Sequence, residues 1–188
     1  MNPSLATIPP HGVRLRNARA DDRSWLEALF IDVRRAEFAP LGWPEAALAS
    51  FLATQSDAQQ RAYRAAHPAA SVQILECDAT HTGGGGDARI GQLWVDRAGN
   101  AIEVLDISLM AAWRGHGIGG WCLAALLAQA AEQGRSVELR VLEANPARRL
   151  YQRLGFEIVG REPPYLALRK PVAGTPIPHR AESIHEQA

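Results

Sequence analysis

Lysine is almost missing from this chain: Lys170 is the only one, so arginine supplies nearly all the positive charge. Arginine favours planar, bidentate contact with phosphates and carboxylates. Net charge is missing as well. Lys plus Arg and Asp plus Glu both total 20, so no overall field draws the molecule to nucleic acid or to an anionic membrane, and a charged partner is met locally. Cysteine is limited to Cys77 and Cys122, with no C-x-x-C or Cys/His metal spacing. That leaves neither a disulfide framework nor a zinc site to expect, and both read as reduced core residues. No apolar run approaches the roughly 20 residues of a membrane span. Met1 to Pro10 lacks a basic region followed by an apolar one, so a cytoplasmic location is expected. What is present is the balance of a globular domain: 188 residues, 47% apolar and 21% charged, enough for one core but not comfortably for two.

The expected domain spans 13–170, between a flexible tail over 1–12 and a polar, disordered tail over 171–188. Val13 to Asn17 alternates as a strand. Asp21 or Asp22 is placed to cap a helix whose Trp25, Leu26, Leu29, Phe30 and Val33 share one face. Pro40, Gly42 and Pro44 interrupt, and Leu48, Phe51 and Leu52 open a second helix that Asp57 to Ala66 continues or restarts. Strands are expected at Ser71 to Cys77, Arg89 to Val95 and Ile102 to Leu109, with the run Gly83 to Gly86 as a mobile turn. Ile118 to Gln133 is apolar on nearly every side, the mark of a buried helix, and Gly134 is placed to end it. Val137 to Leu142, a short helix over Pro146 to Leu154, and strands at Phe156 to Val159 and Tyr165 to Arg169 complete an α+β pattern. The sheet is expected to be mixed and mostly antiparallel, flanked by helices.

Chemistry enters at Arg114-Gly115-His116-Gly117-Ile118-Gly119-Gly120, between a strand and the buried helix. Small residues there let successive backbone N–H groups approach one anion, and a helix N-terminus adds its dipole. Arg114 can supply a further charge-assisted contact. Glycine turns also occur for packing alone, and Gly115 to Gly120 equally fits the G-x-G-x-x-G dinucleotide fingerprint of an oxidoreductase. That alternative needs a parallel unit whose first strand precedes the glycines and an acid ending the next strand, whereas hairpins precede this turn and Glu138 falls inside a strand.

A second segment, Asn145-Pro146-Ala147-Arg148-Arg149-Leu150-Tyr151-Gln152-Arg153-Leu154-Gly155-Phe156, follows the next strand. With both segments in order the sequence resembles the GNAT superfamily of acyl-CoA-dependent N-acetyltransferases. Arg114 to Gly119 matches the Q/R-x-x-G-x-G/A acyl-CoA motif, and the second segment is similar to the Asn, Ala-x-x-Leu-Tyr, Leu-Gly-Phe signature. The resemblance implies acetyl-CoA as acyl donor, no metal, and an amine-bearing acceptor attacking the thioester directly. It also implies roles. Ile107 and Leu109 would pair with the pantetheine arm, and the Leu109 amide would face the thioester carbonyl. The turn from Gly115 through His116, Gly117, Ile118 and Gly119 to Gly120 would hold the pyrophosphate, and Asn145 would touch the cofactor near the arm. Tyr151 would be the general acid toward the departing thiolate.

An amine of pKa about 10.4 lies roughly 3.4 units from neutrality, about 4.6 kcal/mol, so a base is expected. Glu103, eleven positions before Arg114, is the first candidate and by alternation shares a face with Ile107 and Leu109. Asp106 is the rival, on the other face unless a bulge re-aims it. The acceptor pocket is expected from Glu37 to Tyr63, with Trp43 and Tyr63 as walls and Glu37 or Glu76 as cation contacts. No nucleic-acid or membrane partner is expected, and a homodimer is open. A non-catalytic acyl-CoA-binding module would keep the same turn without the chemistry.

Overall fold

The computed structural model describes residues 9–78 and 88–172, so the expected Gly83 to Gly86 turn and most of both expected tails lie outside the described residues. Within the described residues, Pro10–Gly12 forms a single 3-10 turn that leads into the first strand.

Seven strands form one sheet in the order β1-β2-β3-β4-β5-β7-β6, where β1 is Val13–Asn17, β2 Ser71–Cys77, β3 Ala88–Asp96, β4 Ala101–Leu109, β5 Ser136–Leu142, β6 Glu157–Glu162 and β7 Tyr165–Lys170. Among the described residues only β4 and β5 run parallel, and every other pair is antiparallel. This is the mixed, mostly antiparallel α+β sheet that the sequence led us to expect. Helices cover both faces. α1 (Arg23–Phe38) and α2 (Glu45–Ala66) pack together on one side, and α3 (Ile118–Glu132) and α4 (Arg148–Arg153) lie on the other. The segment after Pro44 is therefore one continuous helix, as nothing between Phe51 and Ala66 breaks it.

The central strand β3 is buried from Ile90 to Val95 because both its faces are covered. The larger core joins the sheet to α3 through Ile102, Val104, Ile118, Cys122, Leu123 and Leu126. Each fully buried aliphatic side chain contributes about 1.5–3 kcal/mol, and α3, apolar on most sides, is held chiefly by this burial. Both cysteines are buried, and burial pushes the Cys122 thiol up to about 12, which makes it an inert packing group. No helix among the described residues is long and apolar enough to cross a membrane.

Asp22 departs from its expected role. Instead of capping α1 it is 1% exposed, accepting from the Arg19 backbone N–H and from the guanidinium groups of Arg16 and Arg89. Arg16 also binds Glu76, which in turn holds Arg14. Glu76 is thus tied into an ion network between β1 and β2.

Candidate active site

The one parallel pairing is also the shortest relative to its strands. It runs from Ala101↔Ser136 to Val104↔Leu139 and stops, although β4 continues to Leu109 and β5 to Leu142. Beyond Val104 the two strands are no longer paired, and a gap between them begins there. Met110 N–H donates to the Ile90 carbonyl, so alternation turns the N–H and C=O of Leu109, and of Ile107 two residues earlier, away from β3 toward that gap. The Leu109 carbonyl is taken there by Arg114 Nε at 2.9 Å, while its N–H points at the opening. Gly91 makes this possible. It lies opposite Leu109, and a Cβ there would stand 2.4 Å from the Ser108 carbonyl oxygen and 2.6 Å from the Leu109 side chain. A glycine in the middle of an apolar strand was the available signal for such close approach.

A bulge alters the expected geometry of β4. Trp94 pairs with Asp106 and Val95 with Val104, so Leu105 has no opposite number. The parity of the strand changes at that point. Ile102, Val104, Ile107 and Leu109 all face the α3 core, whereas Glu103 meets His67 at the end of α2. The expectation that Glu103 shares a face with Ile107 and Leu109 is therefore overturned: the bulge puts Glu103 and Asp106 together on the α1/α2 side. Tyr63 donates its hydroxyl to the carbonyl of the bulged Leu105 at 3.1 Å and sets its ring edge-on to Trp94.

Past β4, a 3-10 turn over Ala111–Trp113 leads to the glycines. Gly115 and Gly117 have φ of 82° and 79°, a region only glycine enters cheaply. A Cβ on either would meet nothing within 4 Å, so space rather than packing lies before the turn. Gly117 caps α3 with no side-chain hydrogen bond and no acid in the first turn. Trp121 N–H donates to the Gly117 carbonyl as the first helical bond, which leaves the amides of Ile118, Gly119 and Gly120 without intrahelical acceptors. Ile118 buries its side chain and His116 is exposed. The Arg114 guanidinium pairs with Asp32 of α1 at 3.2 Å, and Asp32 also accepts from Ala111 N–H. That pair links the turn to α1.

On the α3 side, Tyr151 is 6% exposed and meets Phe156 edge-on at 5.8 Å. Burial, with the Asp106 charge adding to it, pushes its hydroxyl up to about 12. Asn145 uses Oδ1 to accept from Ala147 N–H at 2.8 Å, holding the bend into α4 and leaving its amide NH2 as the group able to donate elsewhere.

On the α1/α2 side, Asp106 accepts from Gln92 and from Ser108, and burial pushes its carboxyl upward despite those donors. Next to it, a cavity of about 550 Å³ abuts the last β4–β5 pair, Val104 and Leu139, and is lined by Tyr63, His67 and Glu103. Of the residues expected to form an acceptor pocket, Tyr63 is brought to this cavity. Trp43 instead stacks on Phe38 and Phe51, Glu37 pairs with Arg34, and Glu76 belongs to the arginine network. His67, which the sequence reading passed over, sets Nδ1 3.1 Å from Asp96 and 3.6 Å from Glu103. Among the described residues no group of three or more His, Cys, Asp or Glu could hold a metal ion.

The family model described as an acetyltransferase (GNAT) domain matches residues 71–158, the stretch from β2 to the start of β6. No curated protein matches the sequence. Solved structures match in fold. The PaiA N-acetyltransferase of Thermoplasma acidophilum, in complex with coenzyme A, is 15% identical with a TM-score of 0.62, over 85% of this chain and 98% of that one. A histone acetyltransferase HPA2 and related acetyltransferase from Corynebacterium glutamicum is 19% identical with a TM-score of 0.63, over 88% and 99%. An acetyltransferase from Thermus thermophilus is 17% identical with a TM-score of 0.59, over 88% and 100%. The antiparallel hairpins before the glycine turn exclude the dinucleotide-binding unit, and Glu138 is spent on Arg169. A single parallel pair that stops short beside an uncapped glycine turn gives this chain the fold of the GNAT acetyltransferases, and residues 71–158 match the GNAT acetyltransferase domain.

Proposed function

We propose that the chain transfers an acetyl group from acetyl-CoA to a primary amine by direct attack of the amine on the thioester. The observation that carries this is the gap between β4 and β5 opening beside the amides of Gly115 to Gly120. The residues fit the donor. The amides of Gly115, His116, Gly117, Ile118, Gly119 and Gly120 offer converging N–H groups to a pyrophosphate, with open space before Gly115 and Gly117. Ile107 and Leu109 offer strand hydrogen bonds to an extended pantetheine arm, and the Leu109 N–H is the donor for charge developing on the carbonyl oxygen. Acetyl-CoA supplies an acyl group on a good leaving thiolate.

Glu103 lines the cavity and is 45% exposed on its side chain, so it takes the acceptor's proton directly or through a water. Asp106, the rival base, is already bonded by Gln92 and Ser108. Tyr151 donates its hydroxyl to the departing sulfur. Asn145 offers its NH2 to the arm. Calorimetry with acetyl-CoA, CoA, NAD and NADP, followed by thiol release over an amine panel, tests the reading. Coenzyme A binding with amine-dependent thiol release supports it. Binding without release from any amine favours a non-catalytic acyl-CoA-binding module.

A further inference from the structure

The cavity at the β4–β5 junction has a composition that selects among amines. Leu105, Ala167, Tyr63 and Tyr165 line it, together with Glu138 and Arg140. Val159 also lines it, although the preceding Ile158 lines a separate pocket beside Tyr151. Val159 is the unpaired residue between Ile158↔Leu168 and Gly160↔Ala167, so a bulge in β6 sets it there. Val159 and Tyr165 are 37% and 41% exposed. Large apolar side chains gathered at one cavity, rather than scattered over the surface, mark the seat of an apolar ligand body.

Charge is confined. Arg140 pairs with Glu162 and lies over the Tyr165 ring, and Glu138 pairs with Arg169. Glu103 has no lysine or arginine partner in any ion pair among the described residues; its contact is His67, which stands closer to Asp96. Glu103 and His67 thus form one end of the cavity, and Asp96, outside its lining, holds the imidazole. That end accommodates one cation. The other charged groups on the wall, Glu138 and Arg140, already have partners, so a second cation would have to displace one of them. We infer that the acceptor is a monoamine carried on an apolar, ring-sized body. Its ammonium lies toward Glu103 and His67, and its body lies among Tyr63, Tyr165 and Val159. This rests on the acyl-transfer reading of the same site.

The test compares kcat/KM for thiol release with phenethylamine, spermidine, an aminoglycoside and a lysine peptide, alongside calorimetric titration of the CoA-bound protein with phenethylamine. The same measurements are made on Val159→Asp, a change on an exposed edge strand. Phenethylamine is expected to lead by about tenfold or more, and Val159→Asp to lower its kcat/KM by about tenfold with CoA affinity unchanged. A lead for spermidine, the aminoglycoside or the peptide, or a Val159→Asp enzyme indifferent toward phenethylamine, overturns the inference and leaves acyl transfer standing. No thiol release from any amine, with phenethylamine binding that Val159→Asp abolishes, removes acyl transfer and keeps the pocket assignment. Neither release nor binding overturns both.

Discussion

Replacing Tyr151 by Phe separates two kinds of acid catalysis. The hydroxyl is pushed up to about 12 by burial, whereas an ordinary thiol titrates near 8.5. Full transfer of the proton to a free thiolate is therefore uphill by roughly 3.5 units, about 4.8 kcal/mol. A hydrogen bond to the developing charge needs no such transfer and is worth about 1.5–3 kcal/mol, a rate factor of about 10 to 150. The second effect is the cheaper, so Tyr151→Phe is expected to lower kcat by about 10- to 150-fold. The edge contact with Phe156 survives the change, so acetyl-CoA affinity and melting temperature should barely move. Steady-state thiol release with calorimetry on the same preparation reads all three. Unchanged kcat removes Tyr151 from the reaction. A loss beyond about a thousandfold, in the upper range for general acid catalysis, would refute the hydrogen-bond argument and restore complete proton transfer.

Glu103→Gln is expected to cost about a hundredfold in kcat/KM near neutral pH, with the deficit shrinking as pH rises toward the acceptor's own pKa and more amine arrives neutral. A parallel offset at every pH argues against Glu103 as the base. Asp22 is held well below the usual carboxylate range by the Arg16 hydrogen bonds, with Arg19 N–H and Arg89 adding to them. Its folded pKa is depressed, so its contribution is present above the unfolded value near 3.9 and fades as pH falls below it. Asp22→Asn should lower unfolding free energy by about 3 kcal/mol at neutral pH, and urea titrations should show the gap closing below about pH 4. A gap of constant size contradicts this. Gly91→Ala drives a Cβ into the Ser108 carbonyl and the Leu109 side chain, and is expected to weaken coenzyme A binding measured by calorimetry; wild-type affinity would mean that Leu109 does not line the donor site.

The readable parts of the site were those written in local chemistry. Gly115 and Gly117 needed positive φ, and α3 needed burial because Ile118 to Ala128 is apolar all round. What escaped depended on partners distant in sequence. The bulge at Leu105 exists because β3 registers Trp94 against Asp106 and Val95 against Val104, and nothing near Leu105 announces it. Strict alternation therefore put Glu103 on the wrong face. Arg114 pairs with Asp32 on α1, 82 positions away. Trp43 looked like a pocket wall but had Phe38 and Phe51 as neighbours. His67 had no motif around it, and only the hairpin carrying Asp96 and Glu103 gives it meaning.

The central claim is that the main-chain donors at the start of α3 bind the pyrophosphate of coenzyme A. Amide chemical shifts of Gly115, Gly117, Gly119 and Gly120 followed by NMR, during titration with coenzyme A and separately with pantetheine, test it most directly. Large, saturable shifts of these amides with coenzyme A and little change with pantetheine are predicted. Saturating coenzyme A binding that leaves those four amides unmoved would contradict it.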